Sequence, residues 1–323
     1  MDNKSLLCDE ELLISPPPTL YLTRMKPSLE VLVGSLYYPS REERDRALGI
    51  CMERETCHMP HDGYVDHLLS TPDLVAARFR VVQWMIKTQC RLNLLLGAVF
   101  DAMNYFDRYI SLILCKELKY WVIDLLSIAC LSLAAKSNEV SIPSLSDFQV
   151  DNLDHSFQPS EIQEMELKVM KALGWRLSCI TAYSYVDLLT WNLDSLHVGL
   201  SARITELLVA TLLDPKFIIF RPCTVAVAAL RCSLEELLPS KSATQLSDLV
   251  HILPVDRMAE MNECHGIMEE CIADPLYSLK SNGPHYFPSS PVTVLVSDGI
   301  PTVKLRPSYP KKRKRSGCAS DGV

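Results

Sequence analysis

The chain has 323 residues, of which 48% are hydrophobic and only 11 are glycine, and it carries a formal net charge of −7. This length predicts about two domains, each large enough to bury its own core. No glycine lies between Gly97 and Gly174, which excludes glycine-rich phosphate loops from the middle of the chain and favours helices. Because no run of alternating strand-like segments occurs either, the predicted fold class is all-α.

The charge is divided unevenly along the chain. Residues 301–323 hold seven Lys or Arg and one Asp, so this tail carries +6 and residues 1–300 carry −13. An acidic body argues against a nucleic-acid partner. Residues 1–11 lack the basic start and apolar core of a signal peptide, so we expect a reducing compartment, in which the 12 cysteines stay unpaired.

Residues 1–38 are predicted to form a flexible arm, because they lack sustained helical periodicity and contain three consecutive prolines at 16–18. The pattern Leu-x-Cys-x-Glu lies in this arm at Leu6, Cys8 and Glu10, among further acidic residues. Many proteins use this pattern to bind retinoblastoma-type proteins, since alternate side chains of an extended peptide enter pockets on the partner. Chance occurrence is the alternative interpretation.

Five helices are predicted in the first half, over residues 40–55, 72–89, 94–111, 121–136 and 160–173. In the fourth, residues 122–135 are apolar or small on every face except for Asp124, which indicates a buried central helix. It is shorter than the roughly 20 apolar residues that span a bilayer, so no membrane partner is expected. Ser160 followed by Gln163 is the predicted capping box of the fifth helix.

Three charged residues, Arg78, Asp107 and Glu166, lie on or beside the apolar stripes of these helices. A buried charge needs a partner, because removing it from water is costly. For Glu166 two interpretations stay open: an internal salt bridge, or a charge held at a surface that binds another protein.

Several potential metal ligands lie between the first two helices: Cys51, Cys57, His58, His61 and His67. The chain contains no Cys-x-x-Cys, and two of these residues are adjacent, which suits tetrahedral zinc poorly. A plain loop without metal is therefore predicted, and no cofactor is expected.

A second set of helices is predicted over residues 182–191, 202–213, 224–238, 244–252 and 256–272. Their lengths resemble those of the first set, so the prediction is two tandem five-helix folds, at 39–178 and 179–279. Residues 280–323 are rich in Ser and Pro and are predicted to be a disordered tail.

The tail contains five consecutive basic residues after Pro310, namely Lys311, Lys312, Arg313, Lys314 and Arg315. A basic run of this length after a proline is typical of a nuclear localisation signal, although it can also be solvated surface. The predicted location is the nucleus, with a cytoplasmic pool.

The middle segments together resemble a cyclin box. The match rests on Arg78, Trp84, the run NYFDRY at 104–109, the run CLSLAAK at 130–136, and the residues MEL at 165–167 and GWR at 174–176. With Leu-x-Cys-x-Glu near the start, the chain most resembles a divergent plant D-type cyclin.

The resemblance implies that the box is held together and meets a kinase through Arg78, Asp107, Leu125, Lys136, Glu139 and Glu166. Arg78 and Asp107 would pair internally, whereas Lys136 and Glu166 would contact the kinase. The implied function is non-catalytic: the chain would bind and activate an A-type cyclin-dependent kinase and recruit retinoblastoma-related protein for phosphorylation, promoting the G1/S transition and cell division. Kinase inhibitors are a further class of expected partner.

The chain departs from the family pattern at two surfaces. Asn138 replaces the first acid of the pair that usually follows the lysine. The surface on which many cyclins bind Arg-x-Leu ligands keeps Trp84 but carries Ala77, Arg80 and Gln83. Because Arg80 would repel a basic ligand, weak binding of such ligands is predicted.

Two other classes of protein are alternatives to a cyclin. A transcription factor or scaffold of the same fold usually has a zinc ribbon or a basic surface for DNA, and neither is evident here. An enzyme would need a nucleophile elbow, a phosphate loop or a set of metal ligands, and the sequence contains none of them.

Overall fold

The computed structural model describes residues 40–113, 119–149, 155–191, 199–239 and 257–273, all within one compact unit that spans residues 1–281. The regular elements in these ranges are helices, which confirms the all-α class. They are α1 (Arg41–Arg54), α2 (Tyr64–Ser70), α3 (Pro72–Leu92), α4 (Leu96–Leu112), α5 (Tyr120–Asn138), α6 (Pro159–Ala172), α7 (Val186–Thr190), α8 (Leu200–Leu213), α9 (Pro222–Leu237) and α10 (Met258–Ala273).

Helix α5 is the central helix that the sequence predicts. Its residues 123–135 are all buried, and it packs against α3, α4 and α6. Asp124, the one charge in this run, lies 3.0 Å from the ring nitrogen Nδ1 of His155. In length and composition α5 could cross a membrane, but 72% of its most apolar stretch is buried inside the protein, as expected of a core helix.

Two hydrophobic clusters form around these helices. The first contains residues of α2 to α6, including Met85, Phe106 and Leu126. The second is built mainly from α7 to α10, and it also takes in Leu48 of α1 and Phe100 of α4. Helix α1 therefore packs with the second cluster, although in sequence it comes before the helices that form the first cluster. The boundary at residue 178 stays a prediction, and the predicted helix 244–252 lies outside the described residues.

The cap predicted for α6 is wrong by two residues. The helix begins at Pro159, and the N–H of Gln158 donates a hydrogen bond to Glu161 Oε2 over 2.7 Å. Proline suits the first helical position because it has no N–H to leave unpaired and its φ is already helical. The cap therefore lies before Pro159 and not at Ser160.

The plain loop predicted between α1 and α3 is also wrong. It contains a 3₁₀ turn at Glu55–His58 and the seven-residue helix α2. Gly63 has a φ of 79°, a conformation open to glycine, and it turns the chain into α2. Tyr64 and Leu68 then enter the first cluster, 1% and 0% exposed.

Another difference concerns residues 182–191, where the sequence predicts one helix. The structure divides this stretch into a 3₁₀ turn, Ala182–Tyr185, followed by α7. The hydroxyl of Ser184 accepts a hydrogen bond from the backbone N–H of Thr181 over 3.1 Å, which tightens the first turn. The other predicted helix ends differ from the observed ones by only a few residues.

Candidate partner-binding site

The pair Arg78–Asp107 lies in the interior, where α3 meets α4. Arg78 is 2% exposed, and its Nε and Nη2 atoms donate to the two carboxylate oxygens of Asp107, both over 2.9 Å. The hydroxyl of Tyr64 donates to the same carboxylate over 2.6 Å, and burial together with that negative charge raises the pKa of Tyr64 well above its ordinary value. Arg78 Nη1 also donates to the carbonyl of Leu212 in α8. This bidentate pair neutralises both buried charges.

Lys136 and Glu166 form a second ion pair, between the end of α5 and the middle of α6. The ammonium of Lys136 lies 2.6 Å from each carboxylate oxygen of Glu166. The Glu166 side chain is only 6% exposed, whereas that of Lys136 is 38% exposed. The carboxylate is thus an internal group, and its cation reaches the surface.

Three apolar side chains that lie close to this pair in sequence are exposed. Val140 and Ile142, in the segment after α5, are 94% and 51% exposed, and Leu167 of α6 is 38% exposed. We refer to Lys136, Val140, Ile142 and Leu167 as the α5–α6 surface. Exposed apolar residues grouped around a charge are typical of a site that binds another protein.

The remaining residues of the predicted framework face inward. Leu125 is 6% exposed and belongs to the first cluster. Glu139 Oε1 accepts a hydrogen bond from the backbone N–H of Leu95. Asn138 Nδ2 donates to Asp101 Oδ2 and to the carbonyl of Ala134, both over 2.9 Å. Both positions of the altered acidic pair therefore make contacts within the chain.

A cavity lies at the predicted Arg-x-Leu surface, lined by Asp73, Ala76, Ala77, Arg80, Tyr120 and His155. The guanidinium carbon of Arg80 lies 5.4 Å from the centre of the Tyr120 ring, as in a cation–π contact. Arg80 thus places a cation at the wall of this cavity and Asp73 an acid, so the weak binding of a basic ligand stays a prediction.

One fully buried carboxylate, that of Glu55, gives no signal in the sequence. Glu55 is 0% exposed, and its Oε2 accepts hydrogen bonds from the hydroxyl of Tyr185 (2.7 Å) and from the N–H of Cys223 (2.8 Å). Its Oε1 pairs with Arg257 Nη1 over 2.9 Å. These partners are 130 to 202 residues away in sequence, so no local pattern could reveal them.

A group of potential metal ligands in the described part of the chain is formed by Glu235, His265 and Glu269. The two ring nitrogens of His265 face different carboxylates, at 3.1 Å from Glu235 and 3.4 Å from Glu269. Arg231 Nε lies 2.9 Å from Glu235 and would repel a cation bound there. The arrangement fits an ion-pair cluster better than a metal site.

Two predicted sites lie outside the described residues. They are the retinoblastoma-binding pattern at Leu6, Cys8 and Glu10, and the basic run from Lys311 to Arg315.

Comparison with known proteins places this geometry in a family. The family description "Cyclin, N-terminal domain" matches residues 48–178, a range that includes Arg78, Asp107, Lys136 and Glu166. Cyclin-D2-2 of rice is 31% identical over 262 residues, which are 78% of this chain and 71% of the relative. Cyclin-D4-1 of Arabidopsis thaliana is 30% identical over 292 residues, which are 86% and 90% of the two chains. The chain belongs to the plant D-type cyclins.

Both ion pairs lie within the residues that match the cyclin N-terminal domain. Cyclins are non-catalytic regulatory subunits of kinases, so this cyclin is a cell-cycle regulator whose partner is a cyclin-dependent kinase. The match to some relatives is shorter: with Cyclin-D1-1 of A. thaliana the 32% identity covers 59% of this chain and 57% of the relative. Identities close to 30% make the chain a divergent member.

Proposed function

We propose that this cyclin binds and activates an A-type cyclin-dependent kinase through the α5–α6 surface, and that it thereby promotes the G1/S transition. The observation that carries the proposal is the position of Lys136, whose charge is anchored by buried Glu166 while its side chain remains 38% exposed, close in sequence to exposed apolar residues. An anchored charge in an apolar surround can fix the orientation of a partner, and burial of the surround supplies affinity.

Activation would be allosteric, because the cyclin itself is non-catalytic. A kinase is active when its catalytic Lys–Glu pair is assembled and its activation loop is open. The cyclin would favour this state by binding it more tightly than the inactive one. Helices α5 and α6 suit this role, since they pack against each other on one core and carry Lys136 and Leu167 of the surface.

The N-terminal arm would recruit retinoblastoma-related protein as a substrate. Leu6, Cys8 and Glu10 would enter pockets on that protein, and nearby acidic residues would face a basic rim. Tethering raises the effective concentration of the substrate beside the kinase without new contacts at the catalytic centre. The basic run from Lys311 to Arg315 would direct nuclear import.

The central experiment is co-purification with an A-type plant kinase, followed by phosphorylation of a retinoblastoma-related fragment. Val140→Glu is the informative variant, because a 94% exposed side chain can change without disturbing the core. Leu69→Glu, at a half-exposed position on α2, is its control. We expect the wild type and the control to bind and activate the kinase and Val140→Glu to do neither. No binding by the folded wild type would contradict the proposal and favour a scaffold.

The arm is tested separately by replacing Cys8 and Glu10 with alanine. Binding to retinoblastoma-related protein should disappear while kinase binding stays unchanged. A simultaneous loss of both would show that the arm is needed for the fold or the kinase contact, contrary to the proposal.

Nuclear import is tested with a fluorescent fusion that lacks residues 311–315. The deletion should leave the protein in the cytoplasm, whereas undiminished nuclear accumulation would contradict an import role for this run. Kinase binding of the deletion variant serves as the control for folding.

A further inference from the structure

Four basic residues lie where the end of α1 meets α4 and the segment after α6. The carbonyl of buried His58 accepts a hydrogen bond from Asn104 Nδ2 over 2.7 Å. Arg108 Nη1 donates to Asn104 Oδ1 (3.4 Å) and to the carbonyl of Arg176 (3.1 Å). Arg54 is the last residue of α1, and the side chains of Arg54 and Arg176 are both exposed. We call Arg54, His58, Arg108 and Arg176 the basic cluster.

Arg108 is almost buried, yet it contacts no carboxylate among the described residues. Its residue exposure is 7%, and both of its side-chain hydrogen bonds leave from Nη1. The Nε and Nη2 atoms have no partner in the described ranges, and neither is sealed from solvent. Arg78 uses the same edge, Nε with Nη2, to hold the two oxygens of Asp107. Arg108 therefore presents the edge that binds an oxyanion in bidentate fashion.

Among the described residues, none of the four side chains pairs with a carboxylate. Burial, followed by the positive charges of Arg108 and Arg176, lowers the pKa of His58 to about 4. Burial and the charge of Arg176 likewise lower the pKa of Arg108, and the groups that oppose this effect are Cys179 and Tyr105, not carboxylates. His58 Nδ1 is also buried without a hydrogen-bond partner. A nearly buried cation without a carboxylate partner is costly, and Arg108 stands out for this reason in a chain whose residues 1–300 carry −13.

We propose that the basic cluster binds the phosphate group of a peptide segment that carries phosphoserine or phosphothreonine. The Arg108 edge would pair with two phosphate oxygens, and the exposed Arg54 and Arg176 would approach the dianion from its sides. Trp175, next to Arg176, is 63% exposed and offers an apolar face to the peptide around the phosphate. A phosphate suits three guanidinium groups better than a carboxylate, because it carries up to twice the charge.

The cluster shares no residue with the α5–α6 surface, so the proposal does not rest on kinase activation. The test therefore needs only the full chain. The probe is a fluorescein-labelled Gly-Ser-pThr-Gly-Ser peptide, with its unphosphorylated form and a form that has Glu in place of phosphothreonine. Saturable binding of the phosphopeptide, about tenfold tighter than that of the Glu peptide, is expected from the larger charge.

The site of binding is located by NMR of the arginine Nε–H groups. Phosphopeptide should shift the Nε–H signal of Arg108 and leave that of Arg78 unchanged, because Arg78 is already paired and 2% exposed. A shift of Arg78 without a shift of Arg108 would contradict the assignment.

Three variants complete the test. Arg108→Lys keeps the charge but removes the Nε/Nη2 edge, and Arg176→Gln removes an exposed charge while its backbone carbonyl stays in place. Each should weaken phosphopeptide binding about tenfold, as expected for loss of a charged hydrogen bond. Lys171→Gln, at an exposed position of α6, should change binding less than about twofold, since surface charges act weakly through water.

Four outcomes would overturn the proposal. They are no phosphopeptide binding, equal binding of the Glu peptide, unchanged affinity in both arginine variants, and an equal loss in Lys171→Gln. The second outcome would make the cluster a carboxylate site, and the last would make the attraction non-specific.

Discussion

Asn138 donates a hydrogen bond from Nδ2 to Asp101 Oδ2 over 2.9 Å and so ties the last turn of α5 to α4. The other oxygen of Asp101, Oδ1, accepts a hydrogen bond from the thiol of Cys179 over 3.1 Å. An acid at position 138, as the family pattern has it, would meet this carboxylate directly. The amide at 138 thus has a structural reason: it gives a partly buried acid a donor in place of a like charge.

The first prediction is that restoring the acid costs stability. In Asn138→Glu, two carboxylates would share the space between α5 and α4, and the free energy of unfolding should fall by about 1–3 kcal/mol. Urea denaturation followed by circular dichroism measures the loss. The same change in an Asp101→Leu background should cost clearly less, since the repelling partner is gone. Equal losses in both backgrounds would contradict the proposed contact.

The second prediction concerns the pH dependence of stability. Burial raises the pKa of Asp101 to about 6, against the opposing hydrogen bonds from Asn138 and Cys179. Because the folded state then binds more protons than the unfolded state between about pH 4 and 6, this group lowers stability as the pH rises through that window. Asp101→Asn should remove the effect, so it should gain stability relative to wild type above pH 6 and lose that gain towards pH 4.

The quantity to follow is the difference in the free energy of unfolding between Asp101→Asn and wild type, because His58 changes the stability of both proteins in the opposite direction. Its lowered pKa of about 4 means that the unfolded state binds more protons below pH 6.5, and stability therefore rises with pH there. Urea midpoints of both proteins at several values between pH 4 and 7 separate the two groups. A difference that does not vary with pH would refute the raised pKa of Asp101.

The strongest sequence patterns predicted the fold well. The central helix α5 was found because its residues are apolar on every side, and α3 because its apolar positions recur with helical spacing. Helix α2 was missed because it has only seven residues, too few to show a period. The cap of α6 was misplaced because Ser160 and Gln163 fit a capping box as well as Gln158 and Glu161 do.

The candidate site was predictable only where a charge interrupted an apolar stripe. Arg78, Asp107 and Glu166 were found in this way, since a charge on an inward face requires a partner. Glu55 and Asp101 gave no such signal, because their burial depends on elements far away in sequence. Distant contacts of this kind follow from tertiary packing, which local periodicity does not report.

The third prediction tests the pair Arg78–Asp107. Arg78→Met would leave a buried carboxylate with the Tyr64 hydroxyl as its remaining donor, and should cost about 3–5 kcal/mol of stability. Replacing both partners, in Arg78→Met with Asp107→Leu, should cost less than the sum of the single changes, because no uncompensated charge remains. Denaturant unfolding of the four proteins gives this coupling energy. Strict additivity would show that the pair contributes no interaction of its own.

The fourth prediction is that Glu55 holds α1 on the second cluster. Glu55→Gln keeps the size of the side chain but turns an amide donor or a neutral oxygen towards Arg257, whose side chain is only 13% exposed. Losing a buried charge pair in this way should destabilise the attachment of α1 by about 3 kcal/mol. Hydrogen exchange should then speed up in α1 and around Cys223, whose N–H also binds Glu55, while α5 stays protected.

Arg41→Gln on the same helix is the matched control for this fourth prediction. Its ion pair with Asp45 is exposed, so its removal should change exchange very little. If Glu55→Gln accelerated exchange in α5 as much as in α1, the carboxylate would stabilise the whole fold cooperatively. If it accelerated exchange nowhere, the remaining oxygen would be sufficient, and the charge on Glu55 would not be what holds α1 in place.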